Sequence, residues 1–342
     1  MTPSRWRRAL FALAPVLLTL LCGSVILAIG GANPLRAYGY ILGGAFESGR
    51  KLADVVVALV PLLLCSAGML VTFAAGLWNI GVEGQMVAGA LASTWVIRSV
   101  SARPVVILPL SIIAGLAGGG LWGLLIGALR TYGRVNEIFA GLGLNFVAAA
   151  LTNYLIFGPW KPPDGATMSG TDPFPRAAWM PTIGTTRASL IPLVLAVAAI
   201  GVIYILLRDS FWGLRLKAIG MSARAAHRLG IDTTSNLILA LVVCGGFRFD
   251  GASASSISVY HRLIPGISGG YGYLAQLVVL LSGLRAEYVP LVGFFFSVIQ
   301  VGSPRLELRM QLDSSLGGVL QASFVLFFLL VQGFRQRREM RE

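Results

Sequence analysis

The run Ser189-Leu-Ile-Pro-Leu-Val-Leu-Ala-Val-Ala-Ala-Ile-Gly-Val-Ile-Tyr-Ile-Leu-Leu207 contains no charged side chain. A helix crosses the hydrocarbon core of a bilayer with about 20 mainly apolar residues, so this run is long enough to span a membrane. Over all 342 residues, 56% are hydrophobic and only 12% are charged, whereas a soluble domain has about 25% charged residues. The sequence therefore predicts an integral membrane protein.

Nine further apolar segments predict an all-α polytopic membrane protein with about ten transmembrane helices, in which residues 1–342 form one transmembrane domain. They lie near residues 9–29, 54–78, 86–100, 104–129, 136–158, 233–259, 272–284, 288–302 and 315–333. Some spans are short or broken, and an eight-span arrangement is the alternative. The segment 272–284 is too short to span unaided, so we expect it either to extend into the preceding glycine-rich stretch or to be re-entrant.

The charges favour a topology with both termini in the cytoplasm. On a ten-span topology more Lys and Arg side chains then fall inside than outside, as membrane proteins generally require. Residues 208–232 become a cytoplasmic loop. The proline-rich loop 159–188 becomes external, where it either meets a partner or simply connects two spans. The net charge of +13 fits cytoplasmic loops beside anionic lipid, and no basic face interleaved with aromatics predicts a nucleic-acid partner.

Catalytic and metal-binding patterns are missing from the sequence. There are no paired carboxylates, no Ser/His set and no phosphate-binding GxxxxGK[ST] motif. Cys22, Cys65 and Cys244 sit in apolar runs without metal-ligand spacing, and His227 and His261 lie in different loops. We therefore expect neither an enzyme nor a metal or cofactor site, so any energy that the protein uses must come from a partner or an ion gradient.

Two glycine-rich polar stretches, 76–85 and 265–273, follow the second and seventh predicted spans. The first places Asn79, Glu83 and Gln85 at a membrane boundary, spaced by glycines that permit an unwound backbone. Such backbone is tolerated in a membrane only when it is buried in protein or lines a cavity, although a plain interhelical turn is the alternative. If the chain consists of two inverted five-helix halves, the two stretches occupy matching positions, which points to a transport pathway.

Gly115, Gly119, Gly123 and Gly127 recur at every fourth residue of the fourth segment. Because such a stripe lacks side chains, another helix can approach it closely. This pattern predicts packing rather than chemistry.

The cytoplasmic loop predicts a helix of about two turns, with Ser222 as its N-cap and Gly230 as its C-terminal stop. Arg224, His227 and Arg228 share one face of this helix, while Ala225, Ala226 and Leu229 form a small apolar patch. Such a helix suits docking in a partner's groove, and the alternative is an interfacial helix lying on anionic lipid.

Residues 76–85, Gly-Leu-Trp-Asn-Ile-Gly-Val-Glu-Gly-Gln, resemble the signature of permease subunits of ABC importers for simple sugars and nucleosides, in the ribose and branched-chain amino acid permease superfamily. The loop 215–231 is similar to that family's segment carrying the helix that couples to the ATPase, and Ser268–Gly272 matches its glycine-rich break. Four short motifs resemble the nucleoside branch of that family: Asn136-Glu137, Leu144-Asn145, Asn153-Tyr154 and Gly158-Pro-Trp-Lys161.

The resemblance implies a permease that translocates a nucleoside or related small neutral solute by alternating access in a bacterial-type plasma (inner) membrane. It implies two ATPase subunits that bind ATP and Mg²⁺, a second permease that is identical or related, and an external solute-binding protein. The expected pathway residues are Asn79, Glu83, Gln85, Asn136, Glu137, Asn145, Asn153, Arg248 and Asp250. The expected ATPase-coupling residues are Gly220, Ser222, Arg224, Ala225, Ala226, His227, Arg228 and Gly230.

Arg248 and Asp250 depart from the family, which has small residues there, so they either line the pathway or mark divergence from a transporting copy. Two other functions are alternatives to a nucleoside importer. One is an importer permease for simple sugars. The other is an ion-coupled secondary transporter with Glu83, Glu137 or Asp250 as its protonatable group.

Overall fold

A computed structural model describes residues 5–29, 31–162, 170–247, 260–311, 313 and 315–339. Every regular element in these ranges is helical, which confirms the predicted all-α class. Six helices precede the 159–188 loop: α1 (Arg5–Ile29), α2 (Pro34–Phe46), α3 (Gly49–Ala74), α4 (Val82–Ser99), α5 (Pro104–Thr131) and α6 (Glu137–Phe157). Among the described residues eight α-helices follow it: α7 (Leu190–Asp209), α8 (Phe211–Met221), α9 (Ala223–Arg228), α10 (Thr233–Phe247), α11 (Tyr271–Leu281), α12 (Val289–Gly302), α13 (Pro304–Met310) and α14 (Leu316–Glu339).

Each of the ten predicted apolar segments contains a helix, and α2 is an additional one that the sequence analysis missed. Asn33 caps α2, since its side-chain oxygen accepts hydrogen bonds from the main-chain N–H groups of Leu35 and Arg36 at 3.0 and 3.3 Å. Pro34 occupies the first turn, where its missing N–H is no loss. The Asn-Pro pair is the local signal that predicts this helix start.

Fewer helices are long and apolar enough to cross a membrane than the ten spans expected. Among the described residues they are 49–74, 104–131, 137–157, 190–209 and 286–310, and the bent pair 17–29 and 34–46 raises the number from five to six if it forms one span. The remaining apolar helices are short. With 11 residues, α11 is about 16 Å long, roughly half of the hydrocarbon core.

The chain divides into two compact units, and the first consists of residues 1–58 and 291–342. In this unit α1 packs against α14 and α2 packs against α13. Its core holds Leu27, Ala37, Ile41, Leu306 and Leu320. Arg305 forms an ion pair with Glu47 just beyond the end of α2.

Residues 59–290 form the second unit, in which α5 is the central helix. It packs on α4 along one side and on α10 along another. A Cβ on Gly119 would overlap the carbonyl oxygen of Gly245, and one on Gly123 would overlap that of Leu241. The glycine ladder therefore packs against α10, as its spacing predicts, at a distance that only glycine permits.

We expect Gly119→Ala to lower the thermal stability of the purified chain, because overpacking at such a contact costs about 1–3 kcal/mol. The matched control is Gly120→Ala on the same helix, where the nearest atoms, those of Val242, lie 3.6 Å from the new carbon. The measurement is the unfolding midpoint in mild detergent. Equal midpoints for the two variants would contradict the close packing of α5 on α10.

Candidate functional site

The helix break predicted in the stretch 76–85 is present between α3 and α4. Gly76 has a left-handed backbone, with φ of 73°, and this conformation ends α3. The Leu77 N–H then donates to the Thr72 carbonyl oxygen at 2.9 Å, and helical structure resumes at Val82. Residues 75–81, which we call the break, are thus non-helical backbone between two helices.

Asn79 and Gln85 tie the break to α10. Both side chains are fully buried. Asn79 Nδ2 donates to Gln85 Oε1 at 3.0 Å and to Cys244 Sγ at 3.3 Å, while Gln85 Nε2 donates to the Leu241 carbonyl oxygen at 3.4 Å. Asn79 Oδ1 has no hydrogen-bond partner within the described ranges. The sequence analysis noted only that Cys244 lies in an apolar run, and its contact with Asn79 went unpredicted.

Glu83, in the first turn of α4 directly after the break, bonds to the second glycine-rich stretch. Its Oε1 atom accepts hydrogen bonds from the main-chain N–H groups of Gly272 and Tyr273, at 2.8 and 3.3 Å. These groups belong to the first turn of α11, where N–H groups lack intrahelical partners and a negative charge is stabilising. The two stretches that the sequence analysis placed in corresponding positions therefore touch through one carboxylate that is only 8% exposed.

Asn145 on α6 holds the break from the other side. Its Oδ1 accepts from the Gly84 N–H at 2.8 Å, and its Nδ2 donates to the Ile80 carbonyl oxygen at 2.9 Å. The same Nδ2 lies 3.2 Å from the hydroxyl oxygen of Tyr273. Tyr273, which the sequence analysis did not select, thus completes a polar cluster of Asn79, Glu83, Gln85, Asn145 and Tyr273.

Three other predicted pathway residues, Asn136, Glu137 and Asn153, lie outside this cluster. Asn136 caps α6 by accepting the Ile138 N–H at 2.8 Å, and Glu137 pairs with Arg130 at 3.1 Å. The side chain of Asn153 is exposed. Two further predicted residues, Arg248 and Asp250, lie outside the described residues.

The predicted helix in the 208–232 loop is α9, and its two ends are as expected. The Ser222 hydroxyl accepts the Ala225 N–H at 3.3 Å. At the other end Gly230 has φ of 82° and donates its N–H to the His227 carbonyl oxygen, while Ile231 donates to that of Ala226. These two bonds form the C-terminal motif in which glycine is preferred.

Exposure on α9 differs from the prediction in one respect. Arg224, His227 and Arg228 are exposed, as a docking face requires. The predicted apolar patch is split, however, because Ala226 is buried while Ala225 and Leu229 remain exposed.

The helix before α9 reaches the break directly. A Cβ on Gly220, near the end of α8, would overlap the carbonyl oxygen of Ala74 and lie 3.1 Å from the Gly76 nitrogen. Main chain therefore meets main chain where α3 ends. The 208–232 loop and the break are in contact without an intervening side chain.

Comparison with known proteins agrees with this arrangement. The family described as "Branched-chain amino acid transport system / permease component" matches residues 51–331. The glucose ABC transporter permease protein TsgB13 of Haloferax volcanii is 32% identical, over 94% of this chain and 87% of the relative. The guanosine ABC transporter permease protein NupP of Bacillus subtilis is 24% identical, over 94% and 93% of the two chains. For the nucleoside ABC transporter permease protein NupB of Lactococcus lactis the identity is 25%, over 88% and 85%.

Both the extent of the family match and the identity to the first relative are sufficient to assign the chain to a protein family. Permeases of this kind are multi-pass transport subunits rather than enzymes, and they work with ATPase and solute-binding partners. This chain belongs to the permease-component family of ABC importers.

Proposed function

We propose that this permease imports a nucleoside or a related small neutral solute, and that the break and α11 form the gate of its pathway. The observation that carries the proposal is the polar cluster, in which three amide side chains and one carboxylate surround non-helical backbone. Amides offer both donors and acceptors, which suits a hydroxyl-rich solute. Asn79 Oδ1 is one such acceptor, and relatives named for guanosine, nucleosides and glucose support the same solute class.

The assembly proposed around this chain follows the importer plan. Two permeases, identical or related, pair with two ATPase subunits and one external solute-binding protein. ATP and Mg²⁺ bind to the ATPases. Both termini and the 208–232 loop face the cytoplasm of a bacterial-type cell, and the chain lies in its inner membrane.

In the proposed mechanism α9 docks on the ATPase through its exposed basic face. Closure of the ATPases displaces α9 and with it α8, which continues into the α9 cap at Ser222. Gly220 then presses on Gly76 and shifts the break. The shift alters the hydrogen bonds of Asn79 and Glu83, and these bonds connect α10 and α11 to the break.

Docking is tested by co-purification. We expect Arg224→Glu with Arg228→Glu to abolish recovery of the ATPase with the tagged chain, because charge reversal removes the cationic face of α9. The matched control is Arg176→Glu with Arg187→Glu, which reverses two exposed charges on the proposed external loop. Retention of the ATPase by the α9 variant, or its loss from the control, would contradict this docking site.

Transmission is tested at Gly220. We expect Gly220→Ala to keep ATPase binding but to lower solute uptake per ATP hydrolysed by about 5- to 150-fold, the range of typical coupling energies. The reason is that the added methyl group forces α8 away from Ala74. Gly201→Ala is the control, because no atom outside its own helix lies within 4 Å of the new carbon. Unchanged coupling in Gly220→Ala would show that the signal takes another route.

The ion-coupled alternative makes the opposite prediction at Glu83. If Glu83 only holds α11, Glu83→Gln keeps an acceptor oxygen and most of the import rate, whereas Glu83→Leu leaves two buried N–H groups unpaired at about 1–3 kcal/mol each and abolishes import. If Glu83 carries a proton, Gln alone abolishes import. The measurement is uptake of radiolabelled guanosine and glucose in proteoliposomes, with the ATPase and binding protein present, with and without a pH gradient.

A further inference from the structure

The loop between α6 and α7 is hydrogen-bonded to the segment that leads into α11. The Phe174 N–H donates to the His261 carbonyl oxygen at 2.6 Å, and the Thr171 N–H donates to that of Leu263 at 2.9 Å. In return the Leu263 N–H donates to the Thr171 hydroxyl oxygen at 3.1 Å. The two segments run antiparallel, and Thr171, Phe174 and Leu263 are buried.

A ring stack strengthens this attachment. The Trp179 and His261 rings are nearly parallel, at 8°, with their centroids 3.9 Å apart. Trp179 Nε1 also donates to the Phe174 carbonyl oxygen at 2.9 Å, which folds the loop back on itself. His261 has φ of 51°, an uncommon conformation for a residue with a side chain.

The connection from Leu263 to α11 is short and includes two hydrogen-bonded turns. The Gly269 N–H donates to the Gly266 carbonyl oxygen at 2.9 Å, and the Tyr271 N–H donates to that of Ser268 at 3.0 Å. Gly272, whose N–H is bonded to Glu83, follows at once. Residues 261–263 and the first turn of α11 are therefore joined by two consecutive hydrogen-bonded turns.

The opposite side of the same loop borders a groove of about 600 Å³, formed with the α4–α5 connection. Its apolar lining includes Ile97, Ile107, Pro175 and Ala178. Arg103 lines it as well and is exposed, as are Arg98 and Arg176, which adjoin lining residues in the chain. Such a surface fits a protein that presents carboxylates around one apolar side chain.

We propose that residues 171–179 act as a lever between the external solute-binding protein and the gate. The binding protein places carboxylates on the basic rim and an apolar side chain in the groove. It thereby moves the loop, and the loop carries residues 261–263 with it, so that the first turn of α11 shifts against Glu83. This inference rests on the importer function proposed above, and Trp179 and His261 are its positioning residues.

The lever is tested first without partners, by hydrogen–deuterium exchange of the full-length chain in lipid nanodiscs. We expect Trp179→Ala and His261→Asn to raise the exchange rates of the Gly272 and Tyr273 amides by about tenfold or more, because the turn segment loses its attachment. His261→Asn is chosen because Asn tolerates a positive φ. Trp179→Phe keeps a stacked ring and should exchange nearly as the wild type does. Faster exchange confined to residues 171–179 would overturn the proposal.

The second measurement is ATP hydrolysis by the reconstituted complex, with the solute-binding protein captured by crosslinking as the probe. We expect Trp179→Ala and His261→Asn to reduce the maximal stimulation of ATP hydrolysis by the binding protein about tenfold. The binding-protein concentration that gives half of the maximal stimulation should stay unchanged. Full stimulation, or a change in half-saturation alone, would overturn the lever, since the latter would make Trp179 a docking contact only. A wild-type complex that the binding protein does not stimulate contradicts the importer function itself, which is a different failure.

Discussion

A buried carboxylate bonded to the first turn of a half-length helix determines how the polar part of this permease is arranged. Because α11 is about half as long as the hydrocarbon core is thick, it is too short to span that core from one side to the other. Buried N–H groups without partners are costly, and Glu83 satisfies two of those in the first turn of α11. Conversely, those N–H groups give the buried Glu83 side chain its hydrogen-bond partners. The break and α11 therefore depend on each other for their polar contacts.

Glycine makes these contacts geometrically possible. A Cβ on Gly272 would lie 2.7 Å from Glu83 Oε1, and one on Gly84 would lie 2.9 Å from Asn145 Oδ1. In both cases a side chain would displace the group that provides the hydrogen bond. The same requirement recurs where Gly220 meets Ala74 and where Gly119 meets Gly245. At Gly220 and Gly119 main chain thus approaches main chain, which is how helices associate where lipid offers no hydrophobic driving force.

Features with a local signal were predictable from the sequence. The ten apolar segments, the glycine ladder, the break at Gly76 and the ends of α9 at Ser222 and Gly230 all depend on residues within a few turns of one another. The partner of Glu83 was not predictable in this way, because Gly272 lies 189 residues away in the chain and offers only a main-chain N–H. The length of a helix is also not predictable from local residues, because α11, with 11 residues, depends on its neighbouring helices.

Polar residue type alone did not separate the pathway candidates. Asn136 and Asn145 look alike in sequence, yet one caps its own helix and the other bonds to the Ile80 carbonyl oxygen in the break. The difference is positional: Asn136 immediately precedes a helix, where a side-chain acceptor is satisfied locally, whereas Asn145 lies two turns inside α6, where its amide must find partners on another element. Glu137 and Glu83 differ in the same way, because Arg130 at the end of α5 is a near neighbour of Glu137 in the chain.

The break is contacted from two directions, and this bears on how a gate can alternate. Gly220 meets it at Gly76, and α11 meets it through Glu83, only seven positions further along the chain. Between them Asn79 is bonded to Gln85 and Cys244, which links the intervening segment to α4 and α10. Any free energy that couples the Gly76 contact to the Glu83 contact acts equally in both directions, since coupling between two sites is reciprocal. In the proposed importer, this reciprocity means that the state of the ATPases affects the position of α11, and that the position of α11 affects the state of the ATPases.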